Sequence, residues 1–209
     1  HSNAEYDKLF EESGVLREKT WQEFLDTSLA LGNCPPLRGD NVVIITNGGG
    51  AGLLAADHFE RLGMPLKELK DISPDLRENI RNYMPAFGSP LNPVDISGTA
   101  TSDMYGGALK TAYRDEHVDG ILISVCPTAV TDVEAITETV INIHRQYKNL
   151  GKPFIMECQG GNECREAIMK LRDKGIPAYS TPEQAVNAMV ALRRYSHIMN
   201  KKEKLIKNI

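Results

Sequence analysis

The chain has 209 residues, 41% of them hydrophobic and 25% charged, and a formal net charge of −4. That length can bury one sizeable core and a small appendage, and the acidic balance argues against nucleic acid as a partner. No apolar run approaches the roughly 18 to 20 residues of a membrane span, and no basic region followed by an apolar stretch opens the chain, so a cytoplasmic protein without a membrane partner is expected.

Residues 1–38 read as a helical extension or linker. Tyr6, Leu9 and Phe10 share a helical face, and Thr20 with Glu23 forms a capping box ahead of Trp21, Phe24, Leu25 and Leu29. Pro35 and Pro36 then mark a boundary. Residues 39–198 alternate short β-rich runs with longer helical patterns, the signature of an α/β, doubly wound parallel sheet with helices on both faces. Strands are predicted at residues 42–46, 66–70, 120–126, 154–158 and 177–179. Helix starts are predicted at Ser73 with Pro74, at Thr131 with Glu134, and at Thr181 with Pro182 and Gln184, while Gly63 and Gly175 sit where helices should stop. Residues 199–209 form a polar, lysine-rich tail or fraying helical end. Cys34, Cys126, Cys158 and Cys164 show no C-x-x-C or metal-ligand spacing, so reduced thiols and no metal site are expected.

The predicted strand at 42–46 runs into Asn47-Gly48-Gly49-Gly50-Ala51-Gly52 and then into a helical pattern with Leu53, Leu54, Ala56, Phe59 and Leu62. Glycines let the backbone approach a ligand closely, and the free N–H groups and dipole of a helix start attract anions. The spacing lacks the third glycine of the dinucleotide fingerprint and the Gly-Lys-Ser/Thr of a Walker A loop. By itself the loop is equally a tight strand-to-helix turn.

The run from Asn47 to Asp57 resembles the glycine-rich segment in the C-terminal domain of ADP-forming (NDP-forming) acyl-CoA synthetase α subunits, in the succinyl-CoA synthetase superfamily. Four further stretches fit the family's order: Asn92-Pro93-Val94-Asp95-Ile96-Ser97-Gly98; Val118-Asp119-Gly120-Ile121-Leu122-Ile123; Gly151-Lys152-Pro153-Phe154 with Gly160-Gly161; and Gly175-Ile176-Pro177-Ala178-Tyr179 with Thr181-Pro182-Glu183. They are also similar to the flavodoxin-like carboxyl-terminal domain of succinyl-CoA synthetase β subunits.

The resemblance implies a domain of an enzyme that turns acyl-CoA, ADP and phosphate into carboxylic acid, ATP and CoA through acyl phosphate and phosphohistidine. It implies that Asn47, Gly48, Gly49, Gly50, Ala51 and Gly52 bind phosphate or acyl phosphate, and that the loop Cys126, Pro127, Thr128, Ala129 lies against the acid substrate. Asn92, Asp95 and Gly98 are expected to be structural. The family's phosphohistidine motif, of Ser-His-Thr-Gly type, is expected upstream, so no catalytic residue is assigned here. His1 is followed by Ser2 and no Thr-Gly, and is read as a remnant rather than the nucleophile; Ser2, Asn3 and Ala4 are open to the same reading. His58, His117, His144 and His197 are expected at surfaces or edges. No cofactor is expected on this domain alone; CoA, ADP/ATP and Mg belong to the full enzyme, with a CoA-binding domain and an ATP-grasp domain or subunit as partners.

A rival reading is a non-catalytic flavodoxin-like ligand-binding or regulatory module. The loop at 47–52 lacks the hydroxyls of a flavin phosphate site, and neither Thr46 nor Cys126 supplies the acidic residues of a receiver domain.

Overall fold

The computed structural model describes the backbone of residues 3–207 and the side chains of residues 3–10 and 12–201. His1 and Ser2, singled out above, lie outside the described residues.

Five strands make one sheet: β1 (Val42–Thr46), β2 (Val94–Asp95), β3 (Gly120–Val125), β4 (Phe154–Cys158) and β5 (Ala178–Tyr179), in the order β2-β1-β3-β4-β5. All four pairings are parallel, so every strand needs a crossover and both faces must be covered. Accordingly β1, β3 and β4 are buried at every position, with β1 and β3 rich in Val and Ile. The order is the flavodoxin-like one, whose switch point lies between β1 and β3.

Alternation along the strands sends side chains to two cores. On one face Val42, Ile44, Leu122 and Ile155 pack with Ala55 and Phe59 of α3 (Gly49–Arg61) and with Val186, Met189 and Leu192 of the terminal helix Pro182–Lys207. On the other face Val43, Ile45, Ile121, Ile123 and Met156 meet the helices Leu76–Arg81, Ser102–Arg114, Val133–Tyr147 and Asn162–Asp173. Counting from the start, α1 is Asn3–Ser13, α2 Trp21–Asn33 and α4 Leu69–Ile72. The helices named on the second face are then α5, α6, α7 and α8, where Leu69 and Ile72 of α4 join the same core, and the terminal helix is α9.

The capping box at Thr20 and Glu23 forms with both bonds present. It starts α2, which lies on α9: Ala30 joins the first core, the Tyr179 hydroxyl donates to Asp26 O at 2.7 Å, and Gln184 Nε2 donates to the Asp26 carboxylate at 3.1 Å. Removing the cap by Thr20→Ala is expected to cost about 1 kcal/mol, read as a lower denaturant midpoint with an unchanged m-value.

Three local expectations are corrected. Residues 66–70 are not a strand: Leu66 and Leu69 are three apart with Lys and Glu between them, and the chain turns into α4 at Leu69. The missing edge strand is β2, only two residues long, and Asn92 extends its pairing with a side chain, accepting from Ile44 N at 3.1 Å and donating to Val42 O at 2.8 Å. Second, Ser73 ends α4 instead of starting a helix, and α5 begins after Asp75 without a side-chain cap. Third, Cys158 and Cys164 are joined as a disulfide, not two thiols. The turn at 159–161 brings the last residue of β4 and the first turn of α8 to a Cα separation of 5.3 Å, inside the range a disulfide needs.

Candidate active site at the carboxyl ends of the strands

A parallel sheet gathers the carboxyl ends of its strands on one edge, and here four loops meet there. The first follows β1. Thr46 Oγ1 accepts from Gly48 N at 3.0 Å and donates to Gly48 O at 3.2 Å, which sets the turn into α3. Gly48 is the N-cap and, as a glycine, offers no side chain to the helix start. The first N–H groups of a helix have no intrahelical acceptor, which leaves those of Gly49, Gly50 and Ala51 without one, Gly50 at an exposed position and Ala51 at a buried one. Gly52 differs from expectation, because its N–H already bonds Gly48 O at 3.1 Å. Gly52 is closely packed: a Cβ there would lie 3.0 Å from both Pro93 Cβ and Thr46 Cγ2, so a side chain would have to push both aside slightly.

Asn47 is buried and joins the first loop to the one after β3. Its Nδ2 donates to Cys126 O at 2.9 Å and its Oδ1 accepts from Cys126 N at 2.8 Å. Thr131 was expected to cap α7, but Asp132 takes that position, its Oδ1 accepting from Ala135 N at 2.8 Å. Thr131 Oγ1 instead turns back to Thr128 N at 2.9 Å and to Asn47 Nδ2 at 3.3 Å. The segment Cys126, Pro127, Thr128, Ala129 is therefore held against Asn47 from both ends.

The third loop follows β2. Thr128 Oγ1 donates to Gly98 O at 3.0 Å, and Ser97, at φ 79, takes a bond from its N–H to Asp95 Oδ1 at 2.8 Å. The other oxygen of Asp95 stands beside the start of α3, where a Cβ on Gly49 would lie 2.7 Å from it. The fourth loop follows β4: Gln159 N bonds Val125 O at 3.2 Å and Gln159 Nε2 donates to Cys126 Sγ at 3.3 Å. Burial and the charge of Glu157 push the Cys126 thiol up, so it rests as a neutral thiol. On the rim Leu53, Leu54 and Val130 are exposed.

The histidines hold other places. His58 bonds Asn187 across α3 and α9 at 2.8 Å. His144, on α7, stacks on Phe154 and is pushed down to about 4 by burial. His117 precedes β3 and His197 lies on α9. Thr46, Thr131 and Glu157 are the side chains of this region that a sequence reading passes over as site residues; a threonine just ahead of Asn-Gly-Gly was the one available signal.

Residues 42–201 match the family model described as the Ligase-CoA domain. The chain belongs to that family. Among relatives of this ligase-CoA domain, the α subunit of acetate–CoA ligase [ADP-forming] I from Pyrococcus furiosus is 42% identical over 201 residues, covering 93% of this chain and 41% of that subunit. Acetate–CoA ligase [ADP-forming] I of Archaeoglobus fulgidus is 32% identical over 94% of this chain and 27% of its own. The domain thus spans less than half the length of these relatives. In structure it is similar to the dinucleotide-forming acetyl-coenzyme A synthetase 1 of Ca. Korarchaeum cryptofilum, solved with phosphate and ADP, at a TM-score of 0.91 and 33% identity over 98% of this chain and 43% of that one.

Proposed function

We propose that this ligase-CoA domain docks the phosphoryl group of an acyl phosphate or phosphohistidine within an ADP-forming acyl-CoA synthetase, which as a whole converts acyl-CoA, ADP and phosphate into carboxylic acid, ATP and CoA in the cytoplasm. The observation that carries this reading is the start of α3, which has no side-chain cap, so that three N–H groups without an intrahelical acceptor and the helix dipole stand at the sheet's switch point. The relatives' names and the phosphate and ADP in the archaeal synthetase support it.

The domain's share of the work is electrostatic preorganisation. Backbone donors fixed before the reaction stabilise phosphoryl oxygens without moving. Thr46 fixes the turn, and Asn47 fixes the cradle against the loop at 126–129, which is assigned to the acyl group. Asp95 adds direction, since its charge beside Gly49 pushes a bound anion towards Gly50 and Ala51. The histidine that carries the phosphoryl group, the CoA site, and the ATP-grasp site for nucleotide and magnesium are assigned to the rest of the enzyme. Among the described residues no group of three or more His, Cys, Asp or Glu is placed to hold a metal ion.

The test is ATP formation from acetyl-CoA, ADP and phosphate, measured for the 209-residue chain and for the complete protein. Turnover is expected only from the complete protein. Turnover by the chain alone would contradict the assignment, and phosphate binding without turnover in either preparation would favour a non-catalytic module.

A further inference from the structure

Glu157 lies in β4 with no exposed surface, and neither of its carboxyl oxygens has a hydrogen-bond partner. Ser124 is its register partner in β3, and the buried Ser124 hydroxyl, although outside good hydrogen-bond geometry, is the one neighbouring donor that favours the charged carboxyl. A buried carboxyl with one neighbouring hydroxyl and no cation is costly once ionised, so such a group in a central strand needs a reason. Alternation along β4 places it with Ile155 on the face covered by α3 and α9.

No positive charge faces it from the elements packed there. The acting charge from α9 is Glu183, of the same sign. β5 presents Tyr179, the segment after β3 presents the Cys126 thiol, and Tyr105 of α6 feels its charge through the sheet. α3 turns only Ala51, Gly52, Ala55 and Phe59 inward. Burial pushes the Glu157 carboxyl up to about 7, the Ser124 hydroxyl pulling against it and the charge of Glu183 adding to the rise.

Thr46, Ser124 and Glu157 are register partners across β1, β3 and β4, so the carboxyl stands in the row that ends at the threonine setting the cradle's turn. Its charge acts on Cys126, and Cys126 Sγ sits against the loop so closely that a Cβ on Gly48 would come within 2.5 Å of it. We infer that Glu157 is a proton-linked positioning residue of the cradle, neutral while a phosphoryl anion is held at Gly49 to Ala51, and weakening anion binding when ionised. This rests on the reading of that loop as an anion site. A like charge inside the low-dielectric core repels the bound anion more strongly than it would through water. Anion binding therefore takes up a proton at Glu157 when the free domain is ionised. Affinity is full below pH 7 and falls as pH rises through 7.

Sulfate is the probe, because it stays doubly charged across this range. Titrated into the 209-residue chain, it is expected to bind about tenfold more weakly at pH 8.5 than at pH 5.5, a coupling of about one pK unit. Glu157→Gln is expected to bind at the acid-limit affinity at both pH values. Carboxyl carbon NMR of the unmodified chain gives a readout that does not depend on the variant folding: the Glu157 midpoint should move up by about one unit with saturating sulfate. If Gly50→Val abolishes sulfate binding while the affinity is flat with pH, or its pH dependence survives Glu157→Gln, or the midpoint stays put, the cradle stands and this inference falls. Sulfate binding that is absent, or that persists in Gly50→Val, overturns the cradle and the inference together.

Discussion

Gly50→Val in the complete synthetase is expected to lower phosphate-dependent kcat/KM by about 10²- to 10³-fold, the loss typical of disabling one preorganised oxyanion donor. Side chains in a helix lean towards its N-terminus, so valine at the second helical position fills the space in front of the N–H groups of Gly49 to Ala51. The fold should survive, because a Cβ at Gly50 meets nothing within 4 Å. That separates this position from its neighbours. At Gly48 a Cβ would strike Cys126 Sγ, at Gly49 Asp95, and at Gly52 Pro93 and Thr46, so substitutions there mix folding with chemistry. Gly50→Ala is the graded control, with near-native stability and a smaller loss. Native melting temperature together with native turnover for Gly50→Val would remove the loop from the mechanism.

Asn47→Ala is expected to damage both stability and activity. It strips partners from the N–H and C=O of Cys126 and from Thr131 Oγ1. Orphaned buried groups cost about 1 to 3 kcal/mol each, and since water reaches this half-open edge the total should be about 2 to 4 kcal/mol. Asn47→Asp discriminates between the two roles of the residue. It keeps the acceptor for Cys126 N but replaces the donor with a negative charge beside the cradle, so phosphate binding should suffer more than stability. Chemical denaturation and phosphate titration of both variants check this. Equal effects of the two substitutions on phosphate binding would reduce Asn47 to a stability residue.

Why these features were visible in the sequence to different degrees has physical causes. β1 and β4 are legible to the residue because parallel strands buried on both faces demand an unbroken run of large apolar or β-branched side chains, with Glu157 the one charged exception. Gly63 and Gly175 are legible because both hold positive φ at helix ends. β2 is not, since two residues between Pro93 and Ile96 carry no pattern and part of its hydrogen bonding is done by the Asn92 side chain. Convergence of the loops follows from fold class alone, but which amides remain unshared does not: Gly52 looks like Gly50 in the sequence and is separated from it by a single bond to Gly48 O. The disulfide had no recognisable motif, because it depends on a turn tight enough to bring residues six apart within reach. Glu157 gave no warning either, since nothing in a run of five letters says that a carboxyl will find no partner.

The most direct test of the central claim is an amide NMR titration of the 209-residue chain with acetyl phosphate. The amides of Gly49, Gly50 and Ala51 are expected to show the largest shifts, with the bonded amide of Gly52 moving less and that of Gly151, ahead of β4 at the opposite edge of the sheet, not at all. Shifts centred on another part of the surface, or none at saturating acetyl phosphate, would contradict the assignment of this helix start as the phosphoryl cradle.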